Sequence, residues 1–408
     1  MNNYRKRNEY DRVLLFLLLV LMVFGVLMIY SASTTKIGES IEHNNFYIRQ
    51  IIFVIISLIS LFILLKLPYM LIEIMIIPLF VLILLTLVVV LFLPAIKGSH
   101  RWISLGILGF QPSELAKLLT IMLVAKLLDE QHLSHIQMLL RTAAAAVLPV
   151  LLIFIEPDLG TAMTLVMSIL VVLAFSDLPF YYLVILVSPL LSIVFSVNAY
   201  VFSLWILLLG LYFFRQKVHL LIAGLVGILN ASLYFLTPFV WNSLKSYQQN
   251  RILTFINPLH DPFGSGYQII QAKIAIGSGG WFGKGFLLGS QKNLQFLPEH
   301  HTDFIFSVIG EELGFFGCLI FISIYILFLY RIVLNVGKLK RRFMFYTSVG
   351  IIANLSIMMF VNIGMNMGLV PATGIPLPFI AYGGTSLLFN TLALGVILKF
   401  ASERSVFE

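Results

Sequence analysis

The sequence predicts an all-α polytopic membrane protein, a helical bundle of about twelve transmembrane helices that uses residues 1–408 as one domain. Three observations carry this. Hydrophobic residues make up 60% of the 408 and charged residues 11%, against about 45–50% and about 25% in a soluble domain. Mean hydropathy is +1.01. Apolar stretches of about 18 residues or more, long enough to cross a bilayer core as a helix, recur along the whole chain, and the alternating segments of about 10 residues that mark an outer-membrane barrel are absent. A water-soluble enzyme, a disordered chain and a coiled coil are excluded.

The spans fall at roughly 13–32, 48–66, 69–93, 111–128, 140–156, 159–176, 179–197, 200–214, 218–237, 303–330, 345–368 and 379–400. The first, Val13–Tyr30, exceeds a signal-peptide core and no clear cleavage site follows it, so it reads as a retained span. Placing residues 1–12 in the cytoplasm puts sixteen of the 26 Lys and Arg residues on that side, including Arg331, Lys338, Lys340, Arg341 and Arg342, with the 401–408 tail. This is the positive-inside pattern, and it accounts for the net charge of +8 without nucleic-acid binding. Both termini are expected in the cytoplasm. The stretch 179–237 holds either three spans or one span with interfacial helices; the parity is the same. Cys318 lies alone in an apolar run, allows no internal disulfide and reads as packing.

Two outer segments interrupt the apolar pattern. One is Pro94–Phe110. The other is the long loop 238–302, whose aromatic residues and apolar Ile270–Ile276 predict interfacial or re-entrant helices rather than a linker. Gly279 and Gly280 mark a sharp turn in it. The run Gly277–Gly285 lacks the glycine spacing of a phosphate loop.

Ionisable groups at membrane depth are costly and mark function by default. Glu114 and Lys117, three apart at the start of the fourth span, share a face; they form either a structural ion pair or the polar wall of a cavity. Asp158, in Glu156-Pro157-Asp158, either caps the next helix or joins a site. Asp303 enters the tenth span after Glu299-His300-His301-Thr302, where a cap is the simpler reading and a functional carboxylate the sharper one. Glu311 and Glu312 lie deeper, and at least one needs a buried partner. Adjacent histidines without a cysteine pair suit zinc poorly; loose Mg2+ binding with a substrate phosphate is left open, and no cofactor is firmly required. The outward-facing cations are Arg101, Lys117, Arg251, Lys273, Lys284 and Lys292.

Six segments in this order resemble the SEDS family of RodA, FtsW and SpoVE: Lys97–Gly106, Phe110–Lys117, Pro157–Thr161, Asp261–Gln268, Phe296–Phe304 and Gly374–Ser386. They extend over nearly the whole chain. Ile274–Gly280 and Gly374–Gly384 resemble RodA more than FtsW, whereas Ile309–Glu312 leans slightly the other way. The resemblance implies a multi-pass protein of the bacterial cytoplasmic membrane that polymerises lipid II, the undecaprenyl-pyrophosphate-linked disaccharide peptide, at the outer face for cell-wall elongation. It implies work beside a class B penicillin-binding protein. It makes Asp303 the base, and Arg101, Trp102, Glu114, Lys117 and Asp158 lining positions. The family pattern has ten spans, so an extra hairpin is expected within 179–237.

Such a reaction needs a general base on an accepting hydroxyl, worth about 10²–10⁴-fold, and cations on the departing pyrophosphate, for which Arg101, Lys117 and Lys273 are the candidates. The lipid tails need apolar grooves. Three alternatives stand beside this: a lipid flippase or other carrier, which spreads polar groups through the full depth; a non-catalytic scaffold, for which Asp303 is dispensable; and a division rather than an elongation role.

Overall fold

The computed structural model describes residues 10–37, 40–43, 45–94, 101–105, 108–130, 134–244, 246–257, 261, 266–290 and 301–403. Among them the helices are α1 (Arg12–Ser33), α2 (Phe46–Lys66), α3 (Tyr69–Leu91), α4 (Pro112–Leu128), α5 (His135–Ile155), α6 (Leu159–Ala174), α7 (Phe180–Phe195), α8 (Ala199–Arg215), α9 (Leu220–Ser243), α10 (Ser246–Ile256), α11 (Tyr267–Ser278), α12 (Ile305–Val336), α13 (Arg342–Met367) and α14 (Gly384–Glu403). Two small antiparallel hairpins complete them: β1 (Thr34–Ile37) with β2 (Ser40–His43), and β3 (Ile103–Leu105) with β4 (Leu108–Phe110), the latter pairing Ile103 with Phe110 and Ser104 with Gly109.

Eight of these helices are long and apolar enough to cross a membrane, and α6, α7 and α8 are shorter apolar helices. With α4, which carries Glu114, Lys117 and Lys126 in 17 residues, the twelve expected spans are all present as helices. The protein is a multi-pass helical membrane protein. Four boundaries differ from the pattern by five residues or more, one being the end of α12, which runs to Val336 rather than 330. The fifth span starts at His135 because Ser134 and Gln137 form a capping box. α9 continues through Pro238 to Ser243, so the long loop begins six residues later than 238. The last helix starts at Gly384, not 379, because Phe379 is in the left-handed region (φ 65°) within a buried, non-helical segment. The helices expected in the long loop are α10 and α11.

The centre of the bundle is α13 and α14. α14 packs along α2, α13 against α4 and α6, and α1 against α12. Close approach is set by glycine: a Cβ at Gly384 would lie 2.1 Å from the Phe53 ring, and one at Gly25 would lie 2.6 Å from the Phe379 carbonyl. By contrast α7, α8 and α9 pack mainly on one another, and α9 is buried over only 11% of its span. Apolar contact with lipid is as favourable as contact between helices, so polar bonds help hold such a unit together. Here the Trp205 indole donates to Ser192 Oγ (2.8 Å), Ser192 Oγ donates to Asn230 Oδ1 (2.6 Å), and Asn230 Nδ2 donates to Ser188 Oγ (3.0 Å). This peripheral three-helix unit fills the stretch where either three spans or one span with interfacial helices were expected.

α12 breaks at Gly314 (φ 66°), which frees backbone groups in the bilayer. The turn after α11 satisfies them. Lys284 and Gly285 N–H groups donate to the Glu311 and Glu312 carbonyls (3.0 Å each), and the Phe315 and Phe316 N–H groups donate to the Gly280 and Trp281 carbonyls (2.9 and 3.1 Å). The same turn brings Lys284 Nζ 2.7 Å from Glu311 Oε1, which also accepts from the Ser290 N–H (2.7 Å). Glu312 accepts from Ser31 Oγ at 2.7 Å. Both deep glutamates thus have partners, and that of Glu312, Ser31, is itself buried. Gly283 cannot be replaced: its φ is +79° and an added Cβ would lie 2.1 Å from the Glu312 carbonyl oxygen. Gly283→Ala is expected to cost on the order of 1–3 kcal/mol or more, read as a lowered melting temperature in detergent, whereas Gly277→Ala, which meets nothing, leaves it unchanged.

Candidate functional site

The turn 301–304 leads into α12. Phe304 is the N-cap residue and makes no side-chain cap bond. α13 supplies what is missing: Asn366 Oδ1 accepts from the Ser307 N–H (3.1 Å). The Nδ2 groups of Asn362 and Asn366, one turn apart, donate to the Asp303 carbonyl (3.0 and 3.1 Å), and Asn362 also donates to the Ile375 carbonyl (2.8 Å). Two asparagines therefore fix the backbone of Asp303 against the segment 374–382. Gly374 (φ +73°) passes so close that a Cβ there would lie 3.3 Å from Asp303 Oδ2.

Asp303 stands on the wall of a 530 Å³ cavity at one end of the bundle, within the ~300–1,000 Å³ usual for ligand pockets. Arg49 of α2, Arg101 and Trp102 before β3, Glu114 of α4 and Asp158 at the start of α6 also line it. Trp102 is seated by the β3–β4 hairpin, where a Cβ on Gly109 would meet its ring at 3.2 Å, and the hairpin is tied to α14 by Thr385 Oγ1 donating to the Gly109 carbonyl (2.8 Å). His301 stacks on Phe46 (4.2 Å between ring centres), and both line the cavity.

Asp158 caps α6, its Oδ1 accepting from the Thr161 N–H (3.3 Å), and it also accepts from Thr161 Oγ1 and Gln111 Nε2 (2.9 Å each). Arg101 lies 3.9 Å from its Oδ1. The Arg101 guanidinium donates to the Glu156 carbonyl (3.1 Å) and to the Pro157 carbonyl. The cap and the site are thus the same residue. Lys117 pairs with Glu114 at 3.0 Å, both buried. It sits below the large cavity, on a 10 Å³ cavity with Asn354 and Asn390, about the room one water needs. Glu114 lines both cavities.

Glu156, in the turn outside α5 and α6, is fully buried, and neither carboxylate oxygen has a hydrogen-bond partner. Burial, and secondarily the charge of Asp158, push its pKa up from 4.5 to about 8, against the pull of Arg101. A folded pKa above the unfolded value means that the native state holds the proton longer, so stability falls as pH rises from about 4.5 towards 8. Glu156→Gln is expected to flatten that fall and to raise the melting temperature at pH 8. An unchanged pH profile of melting would show that Glu156 ionises normally.

Of the residues singled out in the sequence, Arg101, Trp102, Glu114, Asp158 and Asp303 come together. Lys117 lies beneath them. Lys273 is exposed on α11, its side chain against Gly368, and lines neither cavity. Lys97, Lys292, Glu299 and His300 lie outside the described residues. Sequence reasoning missed Arg49, whose signal was a cation in the first outer turn of a span, and Asn362 and Asn366, whose signal was two amides four apart in an apolar helix. Among the described residues no three His, Cys, Asp or Glu side chains are grouped to hold a metal ion. Two apolar grooves, of 180 and 210 Å³, lie towards the far end of α6 from Asp158, beside Leu173 and Phe175.

The model of the FtsW/RodA/SpoVE family, described as cell cycle protein, matches residues 11–207 and 198–406, two stretches that meet inside α8. The chain is 34% identical to peptidoglycan glycosyltransferase MrdB of Escherichia coli (strain K12) over 99% of its own length and 98% of that protein's. It is 33% identical to stage V sporulation protein E of Bacillus subtilis (strain 168), over 97% of each. Among solved structures it is similar to a chain of a peptidoglycan synthase complex that coordinates polymerization and crosslinking (TM-score 0.73, 28% identity, 97% of this chain and 98% of that one). It also shares the fold of the rod shape determining protein RodA of Thermus thermophilus (TM-score 0.64, 24% identity, 99% of each).

Proposed function

The chain belongs to the FtsW/RodA/SpoVE family, and from that premise we propose that it is a peptidoglycan glycosyltransferase that joins lipid II units at the outer face of the cytoplasmic membrane. The observation that carries this is the composition of the 530 Å³ cavity, where three carboxylates, Asp303, Asp158 and Glu114, and two guanidinium groups, Arg49 and Arg101, line a single space at one end of the spans.

Asp303 is the base. Its carboxylate takes the proton of the accepting sugar hydroxyl as that oxygen attacks the anomeric carbon of the donor. The bond from that carbon to the pyrophosphate oxygen breaks, and the electron pair leaves with the pyrophosphate. Asn362 and Asn366 hold the base in position, so little reorganisation is needed as charge moves. Arg49 and Arg101 offset the charge that grows on the leaving group. Lys117 acts one layer down, through Glu114. Trp102 and Phe46 give the cavity apolar walls against which a sugar face packs.

The partner is a class B penicillin-binding protein, which crosslinks the new strand; the likeness to a chain of a peptidoglycan synthase complex supports this. The RodA-like segments support a role in elongation. Transport is disfavoured, because the cavity opens at one end of the bundle and its ionisable groups gather there. Both termini lie in the cytoplasm, as the basic residues at 338–342 require.

The test is strand synthesis from purified lipid II by the purified protein with its partner. Appearance of glycan strands longer than the disaccharide is the expected result; lipid II crossing vesicles without strand formation would support the carrier reading instead. A separate check uses a cysteine at position 290 in a Cys318→Ser background. Labelling is expected from the outer side, and labelling only from the cytoplasmic side would put Asp303 on the wrong face.

A further inference from the structure

A second cavity, of 180 Å³, lies on the other side of Asp303. It shares only Asp303 and Gly374 with the large one. Its other walls are Thr254 of α10, Gln268 and Ile269 of α11, Phe304 and Ala372. The two spaces differ in chemistry. Arg49 and Arg101 line the large one beside Glu114 and Asp158, whereas Asp303 is the sole charged side chain, and no cation is found, among the described residues lining the small one. Gln268 is half-buried, and its amide makes no hydrogen bond to another described residue.

We propose that the small cavity seats the accepting sugar ring, with Gln268 as a binding residue for it, while the large cavity holds the donor and its pyrophosphate. This rests on the glycosyltransferase reading and adds the direction of the reaction across Asp303. A general base must touch the hydroxyl that it deprotonates, and the leaving group must lie with the cations. One carboxylate between a space lined by arginines and a space whose described lining holds none meets both conditions in only one orientation. The accepting oxygen enters from the small cavity, loses its proton to Asp303, and forms its bond to the anomeric carbon presented from the side of Arg49 and Arg101, whose pyrophosphate departs with the bonding pair. The contents of the small cavity suit an uncharged ring. The Gln268 amide both donates and accepts, as sugar hydroxyls and an N-acetyl group require, and Ile269 and Phe304 offer apolar surface to the C–H face. At 180 Å³ it falls below the ~300 Å³ at which pockets for larger ligands begin, so it fits one ring and not the lipid-linked remainder.

The test separates the two substrates. The donor is lipid II capped at its accepting hydroxyl, so that it cannot accept. The acceptor is a disaccharide peptide joined to its lipid by an ether, so that it cannot donate. Condensation of the two by the full-length protein with its partner gives a KM for each. Gln268→Ala is expected to raise the acceptor KM by about 10-fold or more, the effect of losing a neutral hydrogen bond at a sugar, with the donor KM within twofold of wild type. Ala372→Phe, which fills the same space from another lining position, should do the same, and it guards against misfolding of a single variant. A rise in donor KM alone, an equal rise in both, or no change in either variant at wild-type melting temperature would overturn the assignment. Failure of the wild-type protein to condense the pair at all would instead remove the glycosyltransferase reading, and this inference with it.

Discussion

Asp303→Asn is expected to abolish strand synthesis, by about 10² or more in rate, at unchanged melting temperature and unchanged partner binding. Asparagine keeps the size of the side chain and can still hydrogen-bond at a helix entry, but it cannot take a proton. The backbone of residue 303 is held by Asn362 and Asn366 through its carbonyl, and this grip does not depend on the carboxylate. A residue that only stabilised the start of α12 would behave otherwise: its loss would cost up to about 1 kcal/mol of stability and leave turnover nearly intact. The measurement is lipid II turnover and melting on the same preparation. An Asp303→Asn protein that polymerises at near wild-type rate would remove the base assignment and turn attention to the other carboxylates of the cavity, Asp158 first.

The second large effect concerns the pair beneath the cavity. Lys117→Met leaves Glu114 buried with its main partner gone, and breaking a buried ion pair from one side costs about 3–5 kcal/mol. A sharp loss of melting temperature is therefore expected, with little folded protein at 37 °C. Replacing both residues, as Glu114→Gln with Lys117→Met, removes the stranded charge and should recover most of the stability. The double variant then separates structure from function. Glu114 lines the 530 Å³ cavity as well as holding Lys117, so polymerisation should stay at least tenfold below wild type after stability returns. Full recovery of activity in the stable double variant would show that the pair is only a way to bring a helix end into the membrane.

The sequence by itself determined the membrane class, the twelve apolar helices, the helical content of the long outer loop and the polar positions most worth attention. These are local properties. A span must be apolar over its own length because no water is present to satisfy its backbone, and a charge in or beside a span stands out because its burial is costly wherever it points. That logic reached Asp303, Glu114, Lys117 and Asp158, and it anticipated that Glu311 or Glu312 would have a buried partner. What it could not decide was which side chains meet. Lys117 and Arg101 are equally basic in a string of letters, yet the α4 helix sets Lys117 against Glu114, beneath the large cavity, while the loop before β3 lays Arg101 across the turn that starts α6. Lys273, a cation expected at the leaving group, is exposed on α11 and off the cavity wall, and Arg49, which was not expected, stands on that wall. Asn362 and Asn366 matter only because α13 passes beside residue 303, and Glu156 is unusual only because it is buried with no hydrogen bond to its carboxylate. Helix packing in a membrane is chosen by small residues and a few polar bonds rather than by hydropathy, so neighbours far apart in the chain, such as Gly374 and Asp303 or Lys284 and Glu311, are decided by the assembled bundle alone.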